Sequence, residues 1–577
     1  MTTVGTGTGI APRLRSRSEP GSAGPGAGDG GPGGVLRWAW WAAVPLGLLY
    51  LILLAHQLDA AIRTTNLDAD AASGPVIGEL FGAAPADANV VLGTFGWYAT
   101  LLFYLGTKWV PFHRQVWEAA PFVMALAAAG LTAWAVSRVA TRWAATVTAV
   151  VLLCTSPVTL RLELATTQHA PAWFSMAVLG AFAVWLGLDS RARPWPLVAV
   201  LVLVVGTIVG VNAASDPLLS IAGVAPFALA MVAARVLAPG RSATRALWTG
   251  AATLAVTGVT WGLTALAMSS LSVTREPGLH TTRIVIGHKN ITNFTLWWKS
   301  IATIGNGDYF SRPLSPGTVL AFVCAVISIA AVVAIPWLAW RQLRRRPRAA
   351  APGEAAAGTA TGARAGASAA TTTFYVFWCS SAILLTLAFL FSAYPGDIHS
   401  GRYLLGLLYA AAAVVPAAAA GRAWTRALVL ACTCLFAASA VVSISDRGPV
   451  PPPQTANSPV TTQVAGEISQ IAAREDLSVG YAGYWDAAPI TWSTGFGVQV
   501  YPVSVCDQRK HLCRFDLHFI SSWYRPRAHT RSFLLTDPAL ANVWTRPPDL
   551  GRPSSVHRLG RVTMYVYPYD LARRIIG

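Results

Sequence analysis

The chain has 577 residues, 54% hydrophobic and only 12% charged, and its 43 lysines and arginines against 25 acids give a formal net charge of +18. The hydrophobic residues are gathered into runs long enough to cross a bilayer, which makes the chain a polytopic membrane protein. The excess charge follows from the loops between those runs, so the basic balance excludes nothing but the need for a nucleic-acid partner.

In chain order, residues 1–37 read as a disordered cytoplasmic tail. As far as residue 36 it is Gly, Pro, Ser and Arg with no apolar periodicity and no small-residue cleavage motif after the first apolar run, so it is not a cleaved leader. The membrane region, 38–444, holds eleven apolar segments: 38–58, 117–137, 143–160, 172–188, 195–212, 217–235, 246–268, 316–340, 374–393, 402–420 and 425–444. An outer loop at 59–116 follows the first segment, a second at 269–315 follows the seventh, and 341–373 reads as a cytoplasmic linker opened by RQLRRRPR. Residues 91–107 (VLGTFGWYATLLFYLGT) are apolar but read as a half-buried or interfacial element, because a crossing there would move every later arginine-rich loop to the other side.

With the N-terminus inside, the cytoplasmic connections hold nineteen basic and four acidic residues, whereas the outer loops before residue 445 hold ten basic and eleven acidic ones. This is the positive-inside pattern. It predicts a multi-pass plasma-membrane protein with a cytoplasmic N-terminus, and eleven crossings place 445–577 outside the cell. There a proline-rich spacer, a helix at about 459–474 and short strand-like stretches (LSVGYAGYW, VQVYPV, RSFLLTD, VTMYVYPY) predict a small extracytoplasmic α/β domain. Cys506 and Cys513 are the cysteines outside the apolar segments, and an oxidising compartment favours a disulfide between them. Zinc held with His511 and His518 is the lesser reading, since the paired CxxC spacing is missing. The domain has no Ser-His-Asp arrangement, P-loop or GxGxxG, and reads as a platform. Tyr484, Trp485, Asp486 and Trp492 could hold an acceptor sugar, although packing on the membrane region is the stronger reading.

Titratable groups crowd the outer ends of the helices: Asp59, Arg63, Asp68, Asp70 and Glu79; Arg161, Glu163 and His169; Asp216; Arg275, Glu276, His280, Arg283, His288, Lys289, Lys299 and Asp308; Asp397, His399, Arg402 and Tyr403. Singly, each reads as a solvated or paired loop charge. Together they imply a water-filled outer cavity, because charge at membrane depth is costly without a polar surround. Asp68 and Asp70, two apart in DAD, would point the same way if extended, and could supply a general base or hold a divalent ion, Mg or Mn. Arg275, Arg283, His288 and Lys289, with Asp397 and Arg402 of the SAYPGDIHSGRY loop, are the candidate substrate-binding groups, the cations suiting a phosphate. A base facing a phosphate clamp suits transfer of a sugar from a lipid phosphate to a hydroxyl. Outside the cell there is no nucleotide pool, so the sugar must arrive on lipid.

This layout resembles the GT-C superfamily of membrane glycosyltransferases, with NLDADAASGPVIGELF similar to the first outer loop that carries the family's essential aspartate. The resemblance implies a polyprenyl-phosphate-linked sugar as donor, an envelope glycan, lipid or protein as acceptor, inverting hexosyl or pentosyl transfer, and a first-loop aspartate as base. Asp70 is favoured over Asp68. The Asp-Glu pair of the protein mannosyltransferases is replaced here by DAD, which leaves acceptor and metal use open. Two other readings stand beside it: a lipid or polysaccharide transporter, which would show broken helices and buried charge, and a non-catalytic envelope scaffold.

Overall fold

The protein is described by a computed structural model over residues 32–57, 69–82, 84–85, 87–93, 97–164, 169–188, 194–275, 284–310, 312–344, 360–396, 398–447, 462–509, 511–528, 530–538, 543 and 545–576. Among these, nine helices are long and apolar enough to cross a membrane, or ten with a bent pair counted as one span. In hydrocarbon only a helix satisfies every backbone polar group within its own segment, which is why the Ala-, Val- and Leu-rich runs take this form. All eleven apolar segments are helical, ten of them on continuous helix or helical turns and 143–160 on two helices. The first, α1 (Pro32–His56), has a shorter described apolar stretch, Ala43–His56.

Three boundaries differ from the sequence reading. Helix α1 begins inside the stretch assigned to the tail. The segment at 143–160 is not one helix but two, α5 (Arg142–Leu153) and α6 (Pro157–Leu164), meeting at 92°. Pro157 lacks an amide donor and disfavours helical backbone at Ser156, and the carbonyls freed by the break find side-chain donors. Tyr50 Oη donates to the Thr155 carbonyl at 2.8 Å and Asn306 Nδ2 to that of Cys154 at 2.8 Å. The linker is also shorter than expected. The preceding helix runs on to Arg344 and the next, residues 360–391, already begins at Ala360, because a run of alanines carries strong helix propensity.

The apolar stretch at 91–107 becomes a short strand, β1 (Val90–Leu92), and an eleven-residue helix, α3 (Trp97–Thr107), too short to span. Before it lies α2 (Ala69–Phe81). The long helices include α4 (His113–Val139), α7 (Ala170–Gly187), α8 (Trp195–Ser215), α9 (Ala225–Leu237) and α10 (Arg241–Ser270). They are followed by α11 (His288–Ile304) and α12 (Pro316–Arg344), then α13 (Ala360–Phe391), α14 (Leu405–Ala419) and α15 (Ala423–Arg447). Trp173, Phe374, Trp378 and Tyr409 anchor their shared core, while Val123, Leu203, Val259 and Leu266 face outward, as a lipid-facing surface requires. At one end of the bundle Arg138, Arg341 and Arg344 lie over the rings of Trp134, Trp337 and Trp340 at 5.3, 5.2 and 4.0 Å.

The C-terminal region covers the other end. Its seven-stranded mixed sheet has the order β10-β5-β4-β3-β7-β9-β8, built from β3 (Val479–Ala482), β4 (Gln499–Cys506), β5 (His511–Arg514), β7 (Ser532–Thr536), β8 (Ser555–Leu559), β9 (Val562–Tyr567) and β10 (Ile575–Ile576). The three central strands are parallel, with Tyr481 of β3 in register with Tyr501 of β4 and Leu534 of β7. Helices α16 (Thr462–Glu475) and α17 (Tyr484–Ser493) accompany the sheet. Tyr484 and Trp485, expected to extend a strand, open α17 instead: Gly483 ends the strand and stands as the helix's N-cap residue. Cys506 and Cys513 are joined by a disulfide between neighbouring strands. His511 Nδ1 lies 3.0 Å from Asp549 Oδ2.

Candidate functional site

A second sheet ties the two regions together. β1 pairs in parallel with β2 (Val273–Arg275) from the second outer loop, and antiparallel with β6 (Phe519–Ile520) from the C-terminal domain. Both outer loops and the C-terminal domain therefore meet on one face. Arg525 forks onto Asp87 at 3.0 and 2.6 Å, and Arg114 at the start of α4 lies over Trp492 and Phe496. Gly78 lets α2 lie against the Tyr104 ring of α3, whose hydroxyl donates to Glu79 at 3.0 Å; a Cβ at Gly78 would come within 2.5 Å of that ring.

Asp70 sits in the first turn of α2, not in extended chain as the DAD reading supposed. A short run of alanine and serine after an acidic residue favours a helix start, with the carboxylate near its positive end. One Asp70 oxygen, Oδ1, accepts a hydrogen bond from Tyr484 Oη at 2.6 Å; the other, Oδ2, lies 3.8 Å from Arg402 Nη1. Tyr484 is buried and stacked between Phe515 (4.9 Å) and His518 (5.5 Å). Burial pushes the His518 imidazole down to about 3. The ring is then neutral, and its Nδ1 accepts the Gly93 amide N–H at 3.2 Å, which fixes the first loop beside the tyrosine.

Arg402 lies in the 3-10 turn Ile398–Leu404 that enters α14, and its Nη2 donates to Tyr403 Oη at 3.2 Å. The His169 ring meets Tyr403 edge-on at 5.0 Å, and His169 Nδ1 lies 2.5 Å from Asp216 Oδ2. The Leu218 amide donates to Asp216 Oδ1 at 3.0 Å, so this buried pair is fully engaged. A chain of contacts thus runs Asp216, His169, Tyr403, Arg402, Asp70, Tyr484, hydrogen-bonded or ion-paired except at the ring contact between His169 and Tyr403, from the ends of the long helices to the C-terminal domain.

The structure brings Asp70 and Arg402 together. His288 and Lys289 open α11, where His288 is exposed and Lys289 donates to the Pro395 carbonyl of the loop that leads to Arg402. Arg275 ends β2, and nothing is described of its side chain. Asp68, Arg283 and Asp397 lie outside the described residues. Asp70 faces a guanidinium and a phenol, and among the described residues no three His, Cys, Asp or Glu side chains gather as metal ligands.

In the sequence Tyr484 reads as packing on the membrane region or holding an acceptor sugar, whereas His169 and Asp216 stand among the loop charges without an assigned role. The signal that could have found the pair is positional. Both residues cap helices beside a proline, His169 two residues before Pro171 and Asp216 next to Pro217. Comparison with protein-family models, with curated proteins and with solved structures finds no match.

Proposed function

We propose that the chain is an integral membrane glycosyltransferase that moves a sugar from a polyprenyl-phosphate donor to a hydroxyl of an envelope acceptor. The reading rests chiefly on one observation, that Asp70, Arg402 and Tyr484 converge from three separate elements at the end of the bundle opposite its arginine-rich turns. The positive-inside rule assigns that end to the outside of the cell, with the N-terminus in the cytoplasm.

The two oxygens of Asp70 divide the work. Tyr484 holds Oδ1, while Oδ2 lies 3.8 Å from Arg402 Nη1. A donor phosphate arriving at Arg402 takes over the guanidinium and releases Oδ2, which then accepts the proton of the acceptor hydroxyl. The deprotonated hydroxyl oxygen of the acceptor forms the new bond to the sugar's anomeric carbon as the carbon–oxygen bond to phosphate breaks. The lipid phosphate leaves with the bonding pair, and Arg402 offsets its charge. Attack from the face opposite the leaving group inverts the anomeric centre.

The test is a deletion strain carrying Asp70→Asn, with lipid-linked sugars and envelope polysaccharide compared by mass spectrometry. Accumulation of one polyprenyl-phosphate sugar at normal protein level is the expected result. Full complementation by Asp70→Asn would refute the assignment.

The transport reading has one observation in its favour. The span formed by α5 and α6 is broken, and buried Glu163 beside the break has an oxygen, Oε1, with no hydrogen-bond partner among the described residues. A strain in which Glu163→Gln fails while Asp70→Asn complements would favour transport over transfer.

A further inference from the structure

Two chain breaks meet inside the bundle. The first is the bend between α5 and α6 at Cys154–Ser156. The second is the end of α11, where Gly305 and Asn306 stop the helix. The Gly307 amide turns back onto the Ala302 carbonyl at 2.8 Å, and Asn306 takes a φ of +61°, the left-handed turn that closes many helices. Ser328, near the midpoint of α12, donates from Oγ to the Gly305 carbonyl at 3.1 Å. Asn306 Nδ2 donates to the carbonyls of Cys154 at 2.8 Å and of Phe436, near the midpoint of α15, at 3.0 Å. The two breaks therefore touch halfway along the long helices. We infer that this junction is a binding site for a small monovalent cation, with Glu163 and Asn306 as its side-chain ligands.

The polar groups left over at the junction are acceptors. Glu163 is buried, and its Oε2 accepts from Thr155 Oγ1 at 3.4 Å while Oε1 has no hydrogen-bond partner. Asn306 is buried as well; its amide nitrogen is committed to two carbonyls, and its Oδ1 has no hydrogen-bond partner. Both side chains are thus held from adjacent residues, Thr155 and Cys154. Helices α5 and α11 each bring a C-terminal end to this point, and the partial negative charge of those ends repels an anion and attracts a cation. A carboxylate at such depth is costly without a counter-charge, and among the described residues Glu163 has no ion-pair partner. One carboxylate neutralises one monovalent cation, whereas a divalent ion would keep an uncompensated charge there. A proton would occupy a single oxygen. A metal ion draws on several, and the Cys154 and Thr155 carbonyls, which accept side-chain bonds from Asn306 and Tyr50, each have a second lone pair. Unwound helix ends with such carbonyls are the usual setting for sodium inside a membrane protein.

The site shares no residue with the Asp70 cluster, so it stands whatever becomes of the glycosyltransferase reading. Its test uses the full-length protein in detergent, titrated with radioactive sodium at fixed pH and ionic strength, with choline making up the balance, and with melting followed under the same titration. Saturable sodium binding and a sodium-dependent rise in melting temperature are expected. Glu163→Gln keeps the shape of the side chain and should abolish saturable binding. Thr155→Ala keeps the carboxylate but releases its orientation, and should raise the sodium dissociation constant roughly fivefold; it decides the matter if Glu163→Gln does not fold. Absence of saturable binding in the parent, unchanged binding in either variant, or melting that responds to pH but equally to sodium and choline would each overturn the inference, the last by making the occupant a proton.

Discussion

Tyr484→Phe removes one hydroxyl and leaves the stacking on Phe515 and His518 intact, so it isolates the bond that joins the outer domain to Asp70. The O–O distance of 2.6 Å is in the short range of hydrogen bonds to carboxylates. Such bonds contribute about 1.5–3 kcal/mol when desolvated. The Asp70 side chain is 20% exposed, and water can replace part of what the phenol supplied. The expected loss is therefore about 1–2 kcal/mol, or a rise of about 5- to 30-fold in the equilibrium for local opening of α2. Hydrogen exchange of peptides covering residues 69–82 reads this directly, and Asp70→Asn with the double variant completes a thermodynamic cycle. Coupling of about 1 kcal/mol is the expected result. Should the two substitutions add to within about 0.5 kcal/mol, or exchange in Tyr484→Phe match the parent, the two residues do not act as a unit and the account of the site fails.

Two further outcomes follow from the outer domain. Cys506 and Cys513 close a loop with a sequence separation of 7, so Cys506→Ser with Cys513→Ser should destabilise the domain by about 2 kcal/mol through the freed unfolded chain. Denaturant titration of the full chain with and without reductant would show the same difference in the parent and none in the variant. Burial, reinforced by the charge of Asp537 and opposed by that of Arg561, pushes the Asp486 carboxyl up to about 8. The folded domain thus holds this proton more tightly than the unfolded chain, so the group's contribution is complete below about pH 4 and is lost as pH rises to about 8. Asp486→Asn should flatten the stability profile over that window and gain on the order of a few kcal/mol at its upper end. A profile as steep as the parent's would contradict the buried-carboxyl explanation.

Pattern alone was enough to locate the helices, because a bilayer demands long apolar runs and the arginines between them mark one side. The same logic kept 91–107 from being read as a crossing, and α3 is indeed too short to be one. Local chemistry also marked the Cys506–Cys513 pair and the strands around Tyr501 and Leu534. What the pattern could not carry was distance between elements remote in sequence. The DAD motif singled out Asp70 and Asp68, but Arg402 appeared among several candidate cations, and His288 and Lys289 looked as suitable as Arg402. Only the packing of α2 under the outer domain, fixed by the β2-β1-β6 sheet, separates them. Tyr484 lies 414 positions from Asp70, and no local periodicity encodes that contact. The sequence by itself determined which segments form helices long and apolar enough to cross a membrane, since that depends on transfer of side chains between water and lipid. Tertiary structure decided which of the outer side chains meet, because hydrogen bonds and ion pairs act over a few ångströms and depend on how whole helices and sheets are docked.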